Sequence, residues 1–153
     1  MPPVTRHRHL LDPRTLREAL AMRRDDPSAV PIAGCTDVYV SLNFGTVKQT
    51  RFINLWRLQE LRGIERRDGR LRIAALTTYT ELIQSTLVRR AVPMLVAAAR
   101  EIGGRQIQHR GTIGECRQRF SGRRHPASAG GGRYGRRAGE RQRYARGAVH
   151  VVL

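Results

Sequence analysis

Two glycine-containing segments are the parts of this sequence whose residue types and spacing could bind a ligand. Ala33–Asp37 reads A-G-C-T-D and lies between an apolar stretch and a helix-forming one, and Gly111–Gly114 reads G-T-I-G. Glycine allows close approach to the main chain, and backbone N–H groups in such turns or at a helix start attract anions. The chemistry expected of both segments is the binding of a phosphate or diphosphate.

Neither segment identifies a ligand class by itself. A glycine between a strand and a helix is usually only a turn, at odds of roughly four to one. Neither segment has the spacing of the dinucleotide fingerprint or of the phosphate loop. The five histidines and the cysteines Cys35 and Cys116 show no metal-ligand spacing, so no metal site is predicted.

The elements that would position the first segment alternate between helix and strand over residues 1–55. A helical stripe at Leu16–Met22 precedes an apolar strand at Val30–Ala33. A second helix is predicted to start at Thr36, and Arg51–Leu55 reads as the next strand. The order strand, glycine turn, helix and strand predicts a parallel βαβ unit.

The second segment follows a different pattern in residues 56–114. Asp68-Gly69 predicts the turn of a β-hairpin, and Thr78, with a glutamate three residues later, predicts a capped helix. A further helix is predicted over Met94–Ile102 and should end at Gly103. Gln106–Gln108 reads as a strand that leads into the second glycine segment.

The positive charge is concentrated in the last quarter of the chain. Residues 1–114 hold 19 Lys and Arg against 10 Asp and Glu, whereas residues 115–153 hold 10 Arg and 2 Glu. We predict a disordered basic tail there. The total of +17 would suit a nucleic-acid-binding protein, which stays an alternative. No apolar run approaches the roughly 20 residues of a membrane span, so a cytoplasmic location is expected.

A series of longer motifs carries a family resemblance over about residues 5–114. These motifs are Ala33–Asp37, Ile53–Leu55, Glu60–Ile64, Leu71–Tyr79 and Ala99–Gly114. In this order they resemble the FAD-binding medium subunit of the xanthine dehydrogenase and carbon monoxide dehydrogenase family, also called the molybdopterin dehydrogenase family.

The resemblance implies an oxidoreductase subunit with an α+β fold of the FAD-binding PCMH type. A small βαβ subdomain (1–55) would stand beside the start of an incomplete second α+β subdomain (56–114). FAD would lie between them and relay electrons from iron–sulfur clusters to an acceptor. The implied partners are a molybdopterin-binding large subunit and a 2Fe-2S small subunit, and no catalytic residue is implied. The implied cofactor-binding residues are Pro31, Ile32, Ala33, Gly34, Cys35, Thr36, Asp37, Gly103, Gly111, Thr112, Ile113 and Gly114.

The sequence departs from the family pattern at two places. Cys35 stands where the family has a second glycine, and after Gly114 the family pattern G-N-x-x-N-A-S-P-A-G-D is missing. Back-translated with GC-rich codons and read one base later, residues 115–126 give N-V-A-N followed by A-S-P-A-G-D. We therefore predict a shifted reading frame after Gly114, with marginal folding and weak flavin binding. A natural basic tail and the inactive product of a broken gene remain alternatives.

Overall fold

The computed structural model describes residues 7–114 and 149–152 and has the mixed helix and strand content expected of an α+β fold. The first half contains β1 (His9–Leu11), α1 (Leu16–Asp25), β2 (Val30–Ile32), α2 (Thr36–Asn43) and β3 (Arg51–Asn54). The second half contains a 3-10 turn (Gln59–Leu61), β4 (Ile64–Arg67), β5 (Arg70–Ala74), α3 (Tyr79–Gln84), α4 (Thr86–Ala91), α5 (Pro93–Arg100), α6 (Arg105–Gln108) and β6 (Val149–Val152).

The first sheet is parallel throughout and has the strand order β1-β3-β2. Phe52 of the central strand pairs with Leu10 on one side and Val30 on the other, and both Phe52 and Ile53 are buried. Pro31 lies in the edge strand β2, where its missing N–H interrupts no ladder. The predicted parallel βαβ unit is confirmed as β2-α2-β3, and β1 adds a strand that the sequence pattern did not reveal.

A continuous apolar core ties this sheet to the second half of the chain. Helix α1 begins at a Thr15 cap, whose hydroxyl accepts the N–H of Glu18, and it buries Ala19 against the sheet. The core continues beyond residue 55, the predicted boundary between the two subdomains. Its buried members are Ala19, Ala29, Ile53, Leu58, Leu61 and Leu76, with Leu11, Leu16, Met22, Ala33 and Leu55 packed around them.

The second sheet begins with the predicted β-hairpin. Strands β4 and β5 are antiparallel, and Arg67 pairs with Arg70 across a turn in which Asp68 and Gly69 both have positive φ, 52° and 72°. This is the left-handed geometry that favours Asp-Gly. Strand β6 adds to β5 in parallel. Val149–Val152 thus pair with the second sheet, while the rest of the predicted disordered tail lies outside the described part of the chain.

Short helices pack on the second sheet. Thr78 and Glu81 form the predicted capping box of α3, and Ser85 ends α3 and caps α4 through the N–H of Val88. Pro93 opens α5, where its missing N–H leaves no intrahelical bond unmade. The buried apolar residues of these helices and of β5 share one core. This core consists of Leu71, Ile73, Tyr79, Leu82, Val88, Val96, Ala99 and Ile113, with Leu95 packed against it.

The predicted strand at Gln106–Gln108 is wrong, because these residues form the single-turn helix α6. The N–H of Gln108 donates to the carbonyl of Gly104, and its side-chain amide donates to the carbonyls of Arg100 and Gly103. These bonds satisfy carbonyls at the end of α5 and hold α6 beside it. A run with one apolar residue carries too little periodicity to distinguish a turn of helix from a strand.

Among residues 7–114 and 149–152 the structure contains no helix with the length and apolar character needed to cross a bilayer.

Candidate functional site

The first glycine segment connects the carboxyl end of β2 to the start of α2. Cys35 is the residue before the helix and has a φ of 64°, in the left-handed region. A non-glycine residue there costs about 1 kcal/mol or more. Its thiol donates to the carbonyl of Ala33 over 3.3 Å and does not cap the helix. Cys35, Thr36 and Asp37 are all half-buried at the surface of this turn.

Gly34 is buried because the two glycine segments touch each other. A Cβ atom added at Gly34 would lie 1.9 Å from the carbonyl oxygen of Arg110 and 3.3 Å from the nitrogen of Gly111. The sequence interpretation assigned this space to a ligand, but the structure fills it with the main chain of the second segment. Gly34 is thus required by the approach of the second segment, and this approach brings the two predicted segments together.

The second segment is fixed to the connection between β5 and α3. Thr112 and Ile113 are buried, and the N–H of Ile113 donates to the carbonyl of Thr77 over 3.0 Å. The N–H of Gly114 donates to the carbonyl of Ala75 over 2.9 Å. A Cβ at Gly114 would lie 2.9 Å from that same oxygen. The segment follows helix α6 and not the predicted strand. On one side, its backbone is hydrogen-bonded to the connection between β5 and α3.

Gly111 packs against the ring of Tyr79. A Cβ added at Gly111 would lie 2.6 Å from that ring, and the N–H of Tyr79 donates to the Gly111 carbonyl over 3.2 Å. The structure buries Tyr79, so its ring is a packing surface for the second segment.

The other predicted site residues lie further from this junction. Pro31 is exposed and Ile32 half-buried in strand β2. Gly103 has a φ of 55° just after α5, and Ile107 fills the space beside it at 3.0 Å. The contacts of Gly103 are those of a turn that ends a helix. A cofactor role for these three residues stays a prediction.

An aromatic contact that the sequence did not predict links the two halves at this junction. The guanidinium carbon of Arg110 lies 3.9 Å from the ring centroid of Trp56, and that of Arg62 lies 4.4 Å from it. The Trp56 ring thus contacts the residue whose carbonyl oxygen faces Gly34. No sequence signal pointed to Arg110, because its role depends on a long-range contact.

A metal centre is not a feature of the described residues, because residues 7–114 and 149–152 hold no group of three or more His, Cys, Asp or Glu placed to bind one. Of the residues at the junction, Cys35, Thr36, Asp37 and Gly114 are half-buried and Arg110 is exposed. The junction thus brings the start of helix α2, with Thr36, close to Arg110 in one turn region. This donor set suits an anion such as a diphosphate.

Comparison with known proteins identifies the family. The profile described as the FAD-binding domain in molybdopterin dehydrogenase matches residues 6–114. The chain belongs to this family. Its match ends at Gly114, the last residue that the sequence motifs covered.

Characterised relatives agree with this assignment. The chain is 40% identical to the xanthine dehydrogenase FAD-binding subunit of Escherichia coli O157:H7 over 101 residues, which is 65% of this chain and 35% of that protein. It is 32% identical to the carbon monoxide dehydrogenase medium chain of Hydrogenophaga pseudoflava over 117 residues, 75% of this chain and 41% of that one. The chain thus covers only 35% and 41% of the lengths of these two relatives.

A solved structure confirms the fold. Carbon monoxide dehydrogenase from Hydrogenophaga pseudoflava superimposes with a TM-score of 0.68 at 30% identity, over 74% of this chain and 39% of that chain. The α+β fold of the FAD-binding domain, predicted from the motifs, is therefore confirmed.

Proposed function

We propose that this chain binds FAD through its diphosphate and serves as the FAD-binding part of a molybdenum-containing hydroxylase or dehydrogenase. FAD, when bound, supplies the redox chemistry that passes electrons from iron–sulfur clusters to an acceptor. The observation that carries the proposal is the contact between Gly34 and the carbonyl of Arg110, which joins the two glycine segments in one site. The family match over residues 6–114 supports the choice of FAD as the ligand.

The chain's own residues would bind and orient the diphosphate. The start of α2 directs backbone N–H groups of Thr36 and Asp37 and the positive end of the helix dipole toward the turn. The Thr36 hydroxyl adds a donor, and the second segment, fixed by the carbonyls of Thr77 and Ala75, forms the opposite wall. Because both walls are held by the protein, little reorganisation is needed for binding.

The partners follow from the same proposal. The relatives are named as an FAD-binding subunit and as a medium chain, which supports a complex with a molybdopterin-binding large subunit and a 2Fe-2S small subunit. We place the assembly in the cytoplasm. No substrate is assigned, because the two glycine segments are proposed to bind only the cofactor.

Titration calorimetry with FAD tests the proposal, with Thr36→Ala as the informative variant. Loss of a hydrogen bond to the charged diphosphate should weaken FAD binding about tenfold. Thr46→Ala, an exposed threonine after the other end of α2, is the matched control and should bind as the wild type does. Absence of FAD binding by the wild-type chain would contradict the proposal, as would equal effects of the two substitutions.

The reading frame after Gly114 is a second part of the proposal. We propose that a one-base shift there replaces the family sequence, since the family match stops at this residue and the alternative frame restores A-S-P-A-G-D. Sequencing both DNA strands from fresh template across codons 112–120 tests it. An extra or missing base supports a longer FAD subunit. A confirmed frame with no family motif in the alternative frame would refute the shift and make the basic tail real.

A further inference from the structure

Trp56 occupies the point where the two halves of the proposed FAD site meet. It is the one tryptophan in the chain, and it is half-buried. The guanidinium of Arg62 covers one part of its ring at 4.4 Å, and that of Arg110 lies 3.9 Å from the same ring. Both distances are well inside the roughly 6 Å over which cation–π attraction acts. The ring of Trp56 is therefore in contact with two guanidinium groups.

The Trp56 ring is positioned by the end of β3. The backbone N–H of Trp56 donates to the side-chain oxygen of Asn54 over 3.0 Å, and Asn54 in turn donates to Asp12 over 2.7 Å. The carbonyl of Trp56 accepts from Arg62 over 2.8 Å, and a second nitrogen of Arg62 reaches the carbonyl of Leu76 at 3.3 Å. Trp56 is thus anchored to the first sheet and, through Arg62, to the second half.

Arg110 links the anchored Trp56 ring to the first glycine segment. Its side chain lies on Trp56, while its carbonyl oxygen is the atom nearest to a Cβ built on Gly34. The next residue, Gly111, begins the second glycine segment. The stacking contact therefore restrains the residue whose carbonyl faces the first segment.

We propose that Trp56 is a positioning residue of the FAD site: by stacking on Arg110, it sets the distance between the two glycine segments. This inference rests on the proposed function for its link to FAD, but the coupling between the segments exists without the cofactor. A plain packing anchor would need only bulk, which leucine supplies. A stacking role needs a π face, which phenylalanine retains in part and leucine lacks.

The first experiment measures the coupling without FAD, using acrylamide quenching of Trp56 fluorescence in the full chain. Gly34→Ala should push the Arg110 backbone away and raise the quenching constant, and Arg110→Leu should raise it directly. Gly104→Ala is the matched control, because nothing lies within 4 Å of a Cβ there and its φ of −80° suits alanine. If Gly34→Ala does not fold, as judged by circular dichroism, Arg110→Leu still provides the test.

The second experiment measures FAD affinity by calorimetry well below the unfolding midpoint of each variant. Trp56→Leu should weaken FAD binding about three- to tenfold, and Trp56→Phe should recover part of the loss. Phe44→Leu removes an exposed ring at the far end of α2 and should leave the affinity unchanged. Arg110→Lys, which keeps the charge but loses the planar stack, should resemble Trp56→Leu.

The outcomes separate this inference from the proposed function. Raised quenching in Arg110→Leu and Gly34→Ala, together with the graded FAD losses, supports the positioning role. Unchanged quenching in Arg110→Leu, or Trp56→Leu binding FAD as tightly as Trp56→Phe and the wild type, overturns it. Raised quenching with no FAD binding by the wild-type chain supports the coupling of the segments and refutes the proposed ligand.

Discussion

A single methyl group added at Gly34 tests whether the two glycine segments are in contact. The new Cβ would lie 1.9 Å from the Arg110 carbonyl oxygen, whereas ordinary contact begins at 3.4 Å. The second segment must therefore retreat by about 1.5 Å, the difference between these two distances. Backbone atoms cannot rotate away as a flexible side chain can. Overpacking of this kind costs about 1–3 kcal/mol of unfolding free energy.

Urea denaturation of Gly34→Ala, compared with Gly104→Ala, measures this cost. Gly104 has open space around its Cβ position, so its alanine variant should stay within about 0.5 kcal/mol of the wild type. A lower urea midpoint, with an unchanged slope of unfolding free energy against urea concentration, would place the effect on the folded state. If the two alanine variants have equal stability, the segments are not in contact and the site described above does not exist as one unit.

Three further predictions follow from single positions. Cys35→Gly should stabilise the chain by about 1 kcal/mol in urea denaturation, because the φ of 64° strains cysteine and not glycine. Thr78→Ala should lower the unfolding free energy by about 1 kcal/mol through loss of the α3 capping box. The pKa of Asp26 is lowered chiefly by the side-chain hydrogen bond from Ser28, with help from Arg51. Its stabilising contribution is therefore present at neutral pH and lost as the pH falls through the lowered pKa, below the ordinary 3.8. In the Asp26→Asn variant, the midpoint of urea denaturation should no longer show this loss as the pH is lowered.

Each of these predictions has a result that would contradict it. A destabilised Cys35→Gly variant would mean that the thiol contact with Ala33 outweighs the backbone strain. Thr86→Ala, at a neighbouring exposed position, is the control for Thr78→Ala. If Thr78→Ala leaves the urea midpoint unchanged, the cap contributes nothing to the stability of the chain. Identical acid profiles for Asp26→Asn and the wild type would show that the Ser28 and Arg51 contacts do not form in solution.

Local rules predicted the parts of the fold that depend on neighbouring residues. Asp68-Gly69 specified its hairpin because both positions need positive φ, and Thr78 specified the start of α3 through a bond three residues away. Strand β1 and helix α6 were missed or misassigned. Three residues of β1 become a strand only by pairing with β3, and α6 is a single turn held by the end of α5.

The site was predicted only in part for a related reason. The motif at Ala33–Asp37 and the segment ending at Gly114 could be read from the chain, and their family resemblance named the ligand. The reason for glycine at position 34 could not be read, because the Arg110 carbonyl that fills the space is distant in sequence. The contact of Arg110 with Trp56 was hidden for the same reason. A contact between two residues that are far apart in the sequence leaves no periodic pattern around either of them.

Equilibrium dialysis of FAD against the purified full chain, with and without excess ADP, tests the central claim most directly. ADP carries the diphosphate but no flavin, so it should compete for a site built around that group. We predict weak, saturable binding of one FAD per chain that ADP displaces. Failure to retain any FAD, or retention of FAD that excess ADP leaves unchanged, would contradict binding through the two glycine segments.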